Sequence, residues 1–387
     1  MTALSRNRVS SIDLLKGVVT VLMALDHTRD YFHQSSVLLD MTNPAHATYS
    51  VYLTRWITHL CAPAFSFLAG ISAYLSGKKK TKAALSVFLI KRGLWLIFME
   101  LTIISFAWYL DITFNNLDLA VIWVLGVSMI FLAGFIHLPQ NMILFVSCII
   151  IFGHNLLDQV HFSESFLWGV IHEVYSVKLS KTRTLTILYP IIPWIAVMAL
   201  GYYFGHFFDV SVKRSQRQKL FNGIGFASII LFVLIRLSNI YGDPVPWVAL
   251  QSTGRTFMSF MNLNKYPPSF LYLLATLSFT FLFLANSEKW HGKLVDFFSV
   301  FGGVPFFYYL AHLYTIRLLS LIAAELTGHG WQLMIQRQFD VDLKDFGFSL
   351  PVVYLIWIGI ILLLFPICKR FDHYKQNHKD KGWLSYL

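Results

Sequence analysis

Along the first apolar stretch, Asp13, Lys16, Thr20, Met23, His27 and Asp30 recur at intervals of three or four residues. In an α-helix that spacing sets all six on one stripe. Each ionisable group inside a stretch otherwise suited to lipid costs at least about 2.5 kcal/mol, so the stripe must face protein or water. Its richest point is His27, with Asp26, Arg29 and Asp30 around it. A neutral imidazole can take a proton near neutral pH, and Asp30, one turn on, is placed to hold it in one tautomer. Asp26 projects about 100° round the helix from His27 and is expected to pair with Arg29 or a neighbouring helix. A buried histidine is more often a satisfied core residue than a catalyst. Here the crowding of charge between positions 26 and 30 favours a general base. Asp13 and Lys16 have a bland reading, an i,i+3 pair that starts the helix, and a functional one, the inner end of a polar path.

The second apolar stretch puts Arg55, His59, Pro63 and Ser66 on one helical face. It begins where the first ends, so Arg55 and His59 share the depth of His27. His59 joins His27 as a candidate catalytic group, and Arg55 and Arg236 are candidate substrate-binding cations. Asn239, His312 and Arg317 are expected near the same level on later helices. A turn-rich segment from Tyr241 to Pro267, long enough to cover a site, adds Asp243, Trp247, Lys265 and Tyr266 as candidate substrate-binding residues. The basic run Lys78-Lys79-Lys80-Thr81-Lys82, followed by Lys91 and Arg92, reads most simply as a solvated anchor. Its sharper reading, with Asp13 and Lys16, is a dock for an anionic cofactor such as a nucleotide or coenzyme A. Glu100, mid-span, is expected in a structural ion pair. Cys61, Cys148 and Cys368 are widely spaced, so neither a metal site nor a disulfide framework is expected.

The elements that must position these groups follow from composition. Of 387 residues, 56% are hydrophobic and 13% charged, against roughly a quarter charged in a soluble domain. Apolar runs of about 20 residues recur throughout, the length that crosses a bilayer as a helix. The expectation is an all-α polytopic bundle of about ten spanning helices with both termini in the cytoplasm. They are placed at 10–32, 53–76, 84–110, 119–137, 141–157, 185–206, 219–240, 268–286, 297–323 and 349–368. One membrane domain at 8–370 and a basic tail at 371–387 are expected. The net charge of +11 falls mainly in segments assigned to the inner side, which marks topology and excludes a nucleic-acid patch. The outer segment 158–184 fits less well, with Lys178, Lys181 and Arg183; its stretch 166–177 reads as an interfacial helix. A row of Ala62, Ala64, Ser66, Ala69, Gly70 and Ser72 is expected to let another helix approach closely.

The blocks Ser11-Ile12-Asp13-Leu14-Leu15-Lys16-Gly17 and Met23 through Phe32 resemble the heparan-alpha-glucosaminide N-acetyltransferase catalytic-domain family, in its bacterial branch. The likeness continues in Thr54 through Pro63, Phe67-Leu68-Ala69-Gly70, Tyr241-Gly242-Asp243-Pro244, Asn264 through Ser269 and Phe306 through His312. The resemblance implies transfer of an acyl group, typically acetyl, from cytosolic acyl-coenzyme A to an amino sugar or glycan across a bacterial cytoplasmic membrane. It places the family's histidine at His33 or His46, and an asparagine where this chain has His27. Lys16 stands where the family usually has arginine, as does Gly303. Partners on this reading are the bilayer, acyl-coenzyme A and the acceptor, with a homodimer left open. The rivals are a transporter of a small polar substrate, which should show half-helices broken by Gly or Pro, and a non-catalytic scaffold.

Overall fold

The computed structural model describes residues 10–34, 43–162, 165–336 and 343–386. It is 71% helix and 4% strand, the all-α architecture expected, with one small sheet added. Among the described residues six helical segments are long and apolar enough to cross a membrane, judged by length and composition, with Tyr49–Gly77 counted as one.

The first helix, α1 (Ser10–Phe32), carries too much charge to be among the six and sits at the centre. It is buried on nearly all sides, against α2 (Tyr49–Thr58), α3 (Cys61–Gly77), α12 (Phe270–Asn286), α13 (Lys293–Gly303), α14 (Pro305–Leu326) and α16 (Leu350–Asn377). Its polar stripe therefore faces protein, which is why the stripe is tolerated. The contact with α13 is made through glycine: a methyl group on Gly17 would collide with the Phe298 carbonyl, and one on Gly302 with that of Asp13. The small-residue row on α3 works the same way, since Gly70 meets the Met198 carbonyl of α9 (Trp194–Phe204).

Two of the expected spans are broken, each by proline. Pro63 has no N–H for the His59 carbonyl, so the chain turns between α2 and α3, and the Tyr272 hydroxyl donates to that carbonyl instead, at 2.8 Å. Pro305 separates α13 from α14 at Val304.

The expected span 84–110 is α4 (Lys82–Met99), a π-turn at Glu100–Ile104 and α5 (Ser105–Tyr109), ended by left-handed Leu110. The next two helices are α6 (Val121–Phe135) and α7 (Gln140–Gly153). Part of two expected helices is strand. β1 (Asn116–Leu119) pairs in parallel with β3 (Thr184–Ile187), which pairs antiparallel with β2 (Tyr175–Lys178). Helix therefore begins only at Trp194 where 185 was expected, because Thr184, Thr186 and Ile187 are β-branched and find a sheet partner. The expected interfacial helix 166–177 shrinks to α8 (Phe166–Ile171) before β2. Arg183, which suited its segment poorly, donates to the carbonyls of Phe114 and Thr113 and ties the hairpin down.

On the periphery, α10 (Arg214–Ser238) packs on α12 and leaves Phe226, Ile230, Leu234 and Leu237 exposed, as a lipid-facing helix would. The loop after it contains α11 (Thr253–Met261) and lies over α2: the Tyr52 hydroxyl donates to the Met258 carbonyl, and Trp56 Nε1 to that of Met261. A short α15 (Trp331–Gln336) follows α14. The expected domain boundary at 370 falls inside α16, which continues to Asn377.

Candidate active site

A cavity of about 450 Å³ opens beside the later half of α1. Its wall includes Asp26, His27 and Asp30 of α1, Arg55 and Thr58 of α2, and Cys61 of α3. The π-turn brings Glu100, α5 brings Trp108 and Tyr109, and β1 brings Asp118. Lys265, Tyr266 and Tyr309 close it. A second cavity of about 180 Å³ lies toward the other end of α1 and is mostly apolar, with Lys16, Ser72, Ser76 and Arg92 as its polar groups.

The half-buried His27 ring is fixed by three aromatic neighbours. The His312 ring lies nearly parallel to it, at 10° with centroids 5.0 Å apart, while Trp108 and Tyr309 meet it edge-on at 5.0 and 6.0 Å. The proton positions follow from the bonding chain. The Tyr308 carbonyl can only accept, so His312 Nδ1, 2.8 Å away, carries the proton and donates to it. His312 Nε2 is then the acceptor, and His27 Nδ1 donates to it across 2.8 Å. That leaves His27 Nε2 with its lone pair, and no protein partner takes it among the described residues. A base oriented by a second group through its far nitrogen has the arrangement general-base catalysis requires.

This corrects the role expected of Asp30. Its carboxylate accepts from Arg29 Nη2 at 2.7 Å and does not orient His27; His312 does. Asp26 pairs as expected, and more heavily. It accepts from Arg29 Nη2 at 2.6 Å, from Arg55 Nη1 at 2.6 and 2.8 Å, and from the Thr58 hydroxyl at 2.8 Å, with Lys265 Nζ at 3.6 Å. Arg55 reaches the cavity but spends these bonds on the latch between α1 and α2. Lys265 and Tyr266 do enter the cavity, from the end of the long loop.

Other expected site residues do structural work elsewhere. Arg236 donates to the carbonyls of Phe260, Val245, Ser259 and Asn262, clasping the loop. Asn239 ends α10 in a left-handed conformation and bonds both backbone groups of Trp247. Asp243 accepts from Asn264 N, Val245 N and the Ser269 hydroxyl; burial pushes its carboxyl up and these donors hold it down. Trp247 packs on Phe260 at 5.7 Å, away from the cavity. His59 is buried and lines neither cavity; its ring packs on Tyr272 at 5.5 Å. His33 is buried beside Phe348 and His46 is exposed, and neither lines a cavity. Helical spacing does not carry the radial direction of these groups, and that direction takes them away from the two cavities.

At the smaller cavity, Lys16 donates to Ser72 Oγ at 2.6 Å. Asp13 is buried on α1 without lining it. Of the basic run, Lys78 pairs with Asp209, Lys79 is exposed, and Lys80 donates to the Ser76 carbonyl at the rim and lies over the Phe88 ring. None of the three lines the cavity. Arg92, eleven residues downstream of Thr81 on α4, does. Lys375 Nζ lies 3.3 Å from the Gly303 carbonyl, so a cation stands beside the position where arginine was expected.

Glu100 breaks the expectation of an ion pair: no described cation pairs with it. It is 2% exposed and its Oε2 accepts from Trp123 N at 2.8 Å. With Asp118, which accepts from the Tyr109 hydroxyl at 2.5 Å, it makes one wall of the larger cavity acidic. Among the described residues no group of three or more His, Cys, Asp or Glu is arranged to hold a metal.

The family model described as heparan-alpha-glucosaminide N-acetyltransferase, catalytic, matches residues 8–234. The chain belongs to this family. It is a family of transmembrane acetyltransferases, and with the long apolar helices it makes the chain an integral membrane protein. No curated protein matches. Within the family match lie His27, Arg55, Arg92, Glu100 and Asp118; Lys265 and Tyr266, which line the larger cavity, and His312, which is hydrogen-bonded to His27, come from beyond it.

Proposed function

We propose that this chain is a membrane acyltransferase that moves an acetyl-type group from acyl-coenzyme A to an amino sugar or glycan acceptor on the opposite side of the membrane. The observation that carries this reading is the lone pair of His27 Nε2, held toward a cavity by His312. The acceptor occupies the larger cavity, among Arg55, Lys265, Tyr266 and the acidic wall. The donor enters at the smaller cavity, past Lys16 and Arg92, with its pantetheine arm against the apolar lining. From Lys16 to His27 is roughly 16 Å along α1 at 1.5 Å per residue, a span that an extended arm has to bridge. Lys78 to Lys82, Arg214, Arg217, Lys369 and Arg370 favour a cytoplasmic position for the donor mouth.

In the reaction His27 Nε2 takes the proton from the acceptor nitrogen or oxygen as that atom attacks the thioester carbonyl. The tetrahedral oxyanion is held by donors on the cavity wall, with Lys265 and the tyrosine hydroxyls the nearest in kind. On collapse the C–S bond breaks, the new C–N or C–O bond remains, and the imidazolium returns its proton to the departing thiolate.

The test is release of coenzyme A thiol from acetyl-coenzyme A by purified protein, with glucosamine-type acceptors. Acceptor-dependent thiol release with matching acetylation is expected. Uptake of an acceptor into vesicles without thiol release would overturn the reading in favour of a transporter, for which the breaks at His59–Leu60 and Val304 would then be the relevant feature. His312 is a positioning residue on this mechanism. His312→Leu should lower kcat about tenfold, the value of one hydrogen bond of roughly 1.4 kcal/mol, with KM little changed. His312→Gln, whose amide oxygen accepts from His27 Nδ1, should recover part of the loss; equal loss in both would remove the relay.

A further inference from the structure

The two cavities meet. Among the described residues, Met23, Phe65, Val121 and Tyr309 alone line both. They come from four different helices, α1, α3, α6 and α14, so together they make a ring at the junction. Met23 stands one turn before His27 on the same face, about 6 Å below it by helix rise. Tyr309 is the ring member that touches the base, edge-on at 6.0 Å, and it also packs on His312 and Phe306. Met23 and Tyr309 are 8% and 3% exposed and Phe65 and Val121 half-buried, so packing around the first two limits how far the ring can widen.

On the reading proposed above, the donor arrives from the Lys16 side and the acceptor waits on the His27 side. The acyl group leads the donor, so it must enter this ring before its carbonyl comes within reach of His27. A ring of four large side chains discriminates by cross-section. A straight acyl chain presents the same width whatever its length, whereas a branch at the carbon next to the carbonyl widens it where the carbonyl must pass. We infer that Met23, Phe65, Val121 and Tyr309 form the acyl-selecting neck of this enzyme, which accepts unbranched acyl groups and rejects branched ones. This inference rests on the acyl-transfer reading.

The isomers butyryl- and isobutyryl-coenzyme A isolate the effect, since they have the same atoms and differ in width. For the purified wild-type protein, kcat/KM for butyryl transfer should exceed that for isobutyryl about tenfold or more, the discrimination a well-packed apolar contact gives for a single methyl group. Met23→Ala should bring the ratio close to one, and Met23→Leu, which keeps the volume, should keep it high. Phe65→Leu and Val121→Ala widen the ring from two other helices and serve if Met23→Ala does not fold. A wild-type ratio near one, or a ratio unmoved by every widening variant, overturns the neck while leaving acyl transfer standing. No thiol release from any acyl-coenzyme A overturns both.

Discussion

Replacing His27 with alanine is expected to lower kcat/KM for acyl transfer about a thousandfold, within the range for loss of a positioned general base. The other described bases near it are engaged: Asp26 and Asp30 accept from Arg29, and Asp26 from Arg55 as well. His312 is one ring further from the cavity, its Nδ1 committed to the Tyr308 carbonyl and its Nε2 to His27. His59 lines neither cavity. The acids Glu100 and Asp118 are engaged by Trp123 N and the Tyr109 hydroxyl. His27→Gln should be as inactive, although its amide N–H can still donate to His312, because an amide takes no proton. The measurement is single-turnover thiol release with acceptor present, alongside the elution profile of each variant in detergent. Because His27 is half-buried at a cavity wall, both variants should elute as wild type does. A well-folded His27→Ala protein that keeps a tenth of the wild-type rate would remove His27 as the base.

How much of this was legible beforehand depended on which geometric quantity a residue's role rests on. The stripe on α1 was readable because helical spacing alone fixes which residues share a face, and Lys16, Met23 and His27 do border the two cavities in that order. The Asp26 latch was readable for the same reason: its side chain had to point away from His27. Arg236 and Asn239 were misjudged because their depth could be inferred but not the direction they face; five polar loop atoms lie within reach of that guanidinium. The lysine run was too prominent. Three consecutive lysines next to a helix end are solvated for the very reason they are noticeable, while Arg92, on the apolar face of α4, reaches a cavity. Glu100 left a signal, a single acid in the middle of an apolar span, but its direction depends on a π-turn that shifts the register of the helix. The strand at 184–187 was hidden because a short run of β-branched and apolar residues fits either element until a partner is known.

Asp26→Ala is expected to cost about 3–5 kcal/mol of stability, the largest loss from any single charge in the site. Three cations converge on that carboxylate. Arg29 has a fully buried side chain whose Nε and Nη1 find no hydrogen-bond partner among the described residues, so Asp26 and Asp30 are what balance its charge. Without Asp26, Arg29 keeps Asp30, Arg55 loses the carboxylate it is hydrogen-bonded to, and Lys265 loses the carboxylate 3.6 Å from it. Asp26→Asn should cost less, since an amide oxygen still accepts from Arg29 and Thr58 but no longer balances the charge. The double variant Asp26→Ala/Arg55→Ala should lose less than the two single losses added together, because it removes one of the cations that Asp26→Ala leaves unpaired. Thermal unfolding in detergent separates these cases. An Asp26→Ala protein within about 1 kcal/mol of wild type would mean that cavity water, not Asp26, solvates the cations. The latch also fixes the rotation of α1. Asp26 and His27 are adjacent and project about 100° apart, so holding Asp26 against α2 aims the His27 ring at the cavity. Loss of the latch should therefore lower kcat even in preparations cold enough to remain folded, and a wild-type kcat there would separate the stability of the latch from any part in catalysis.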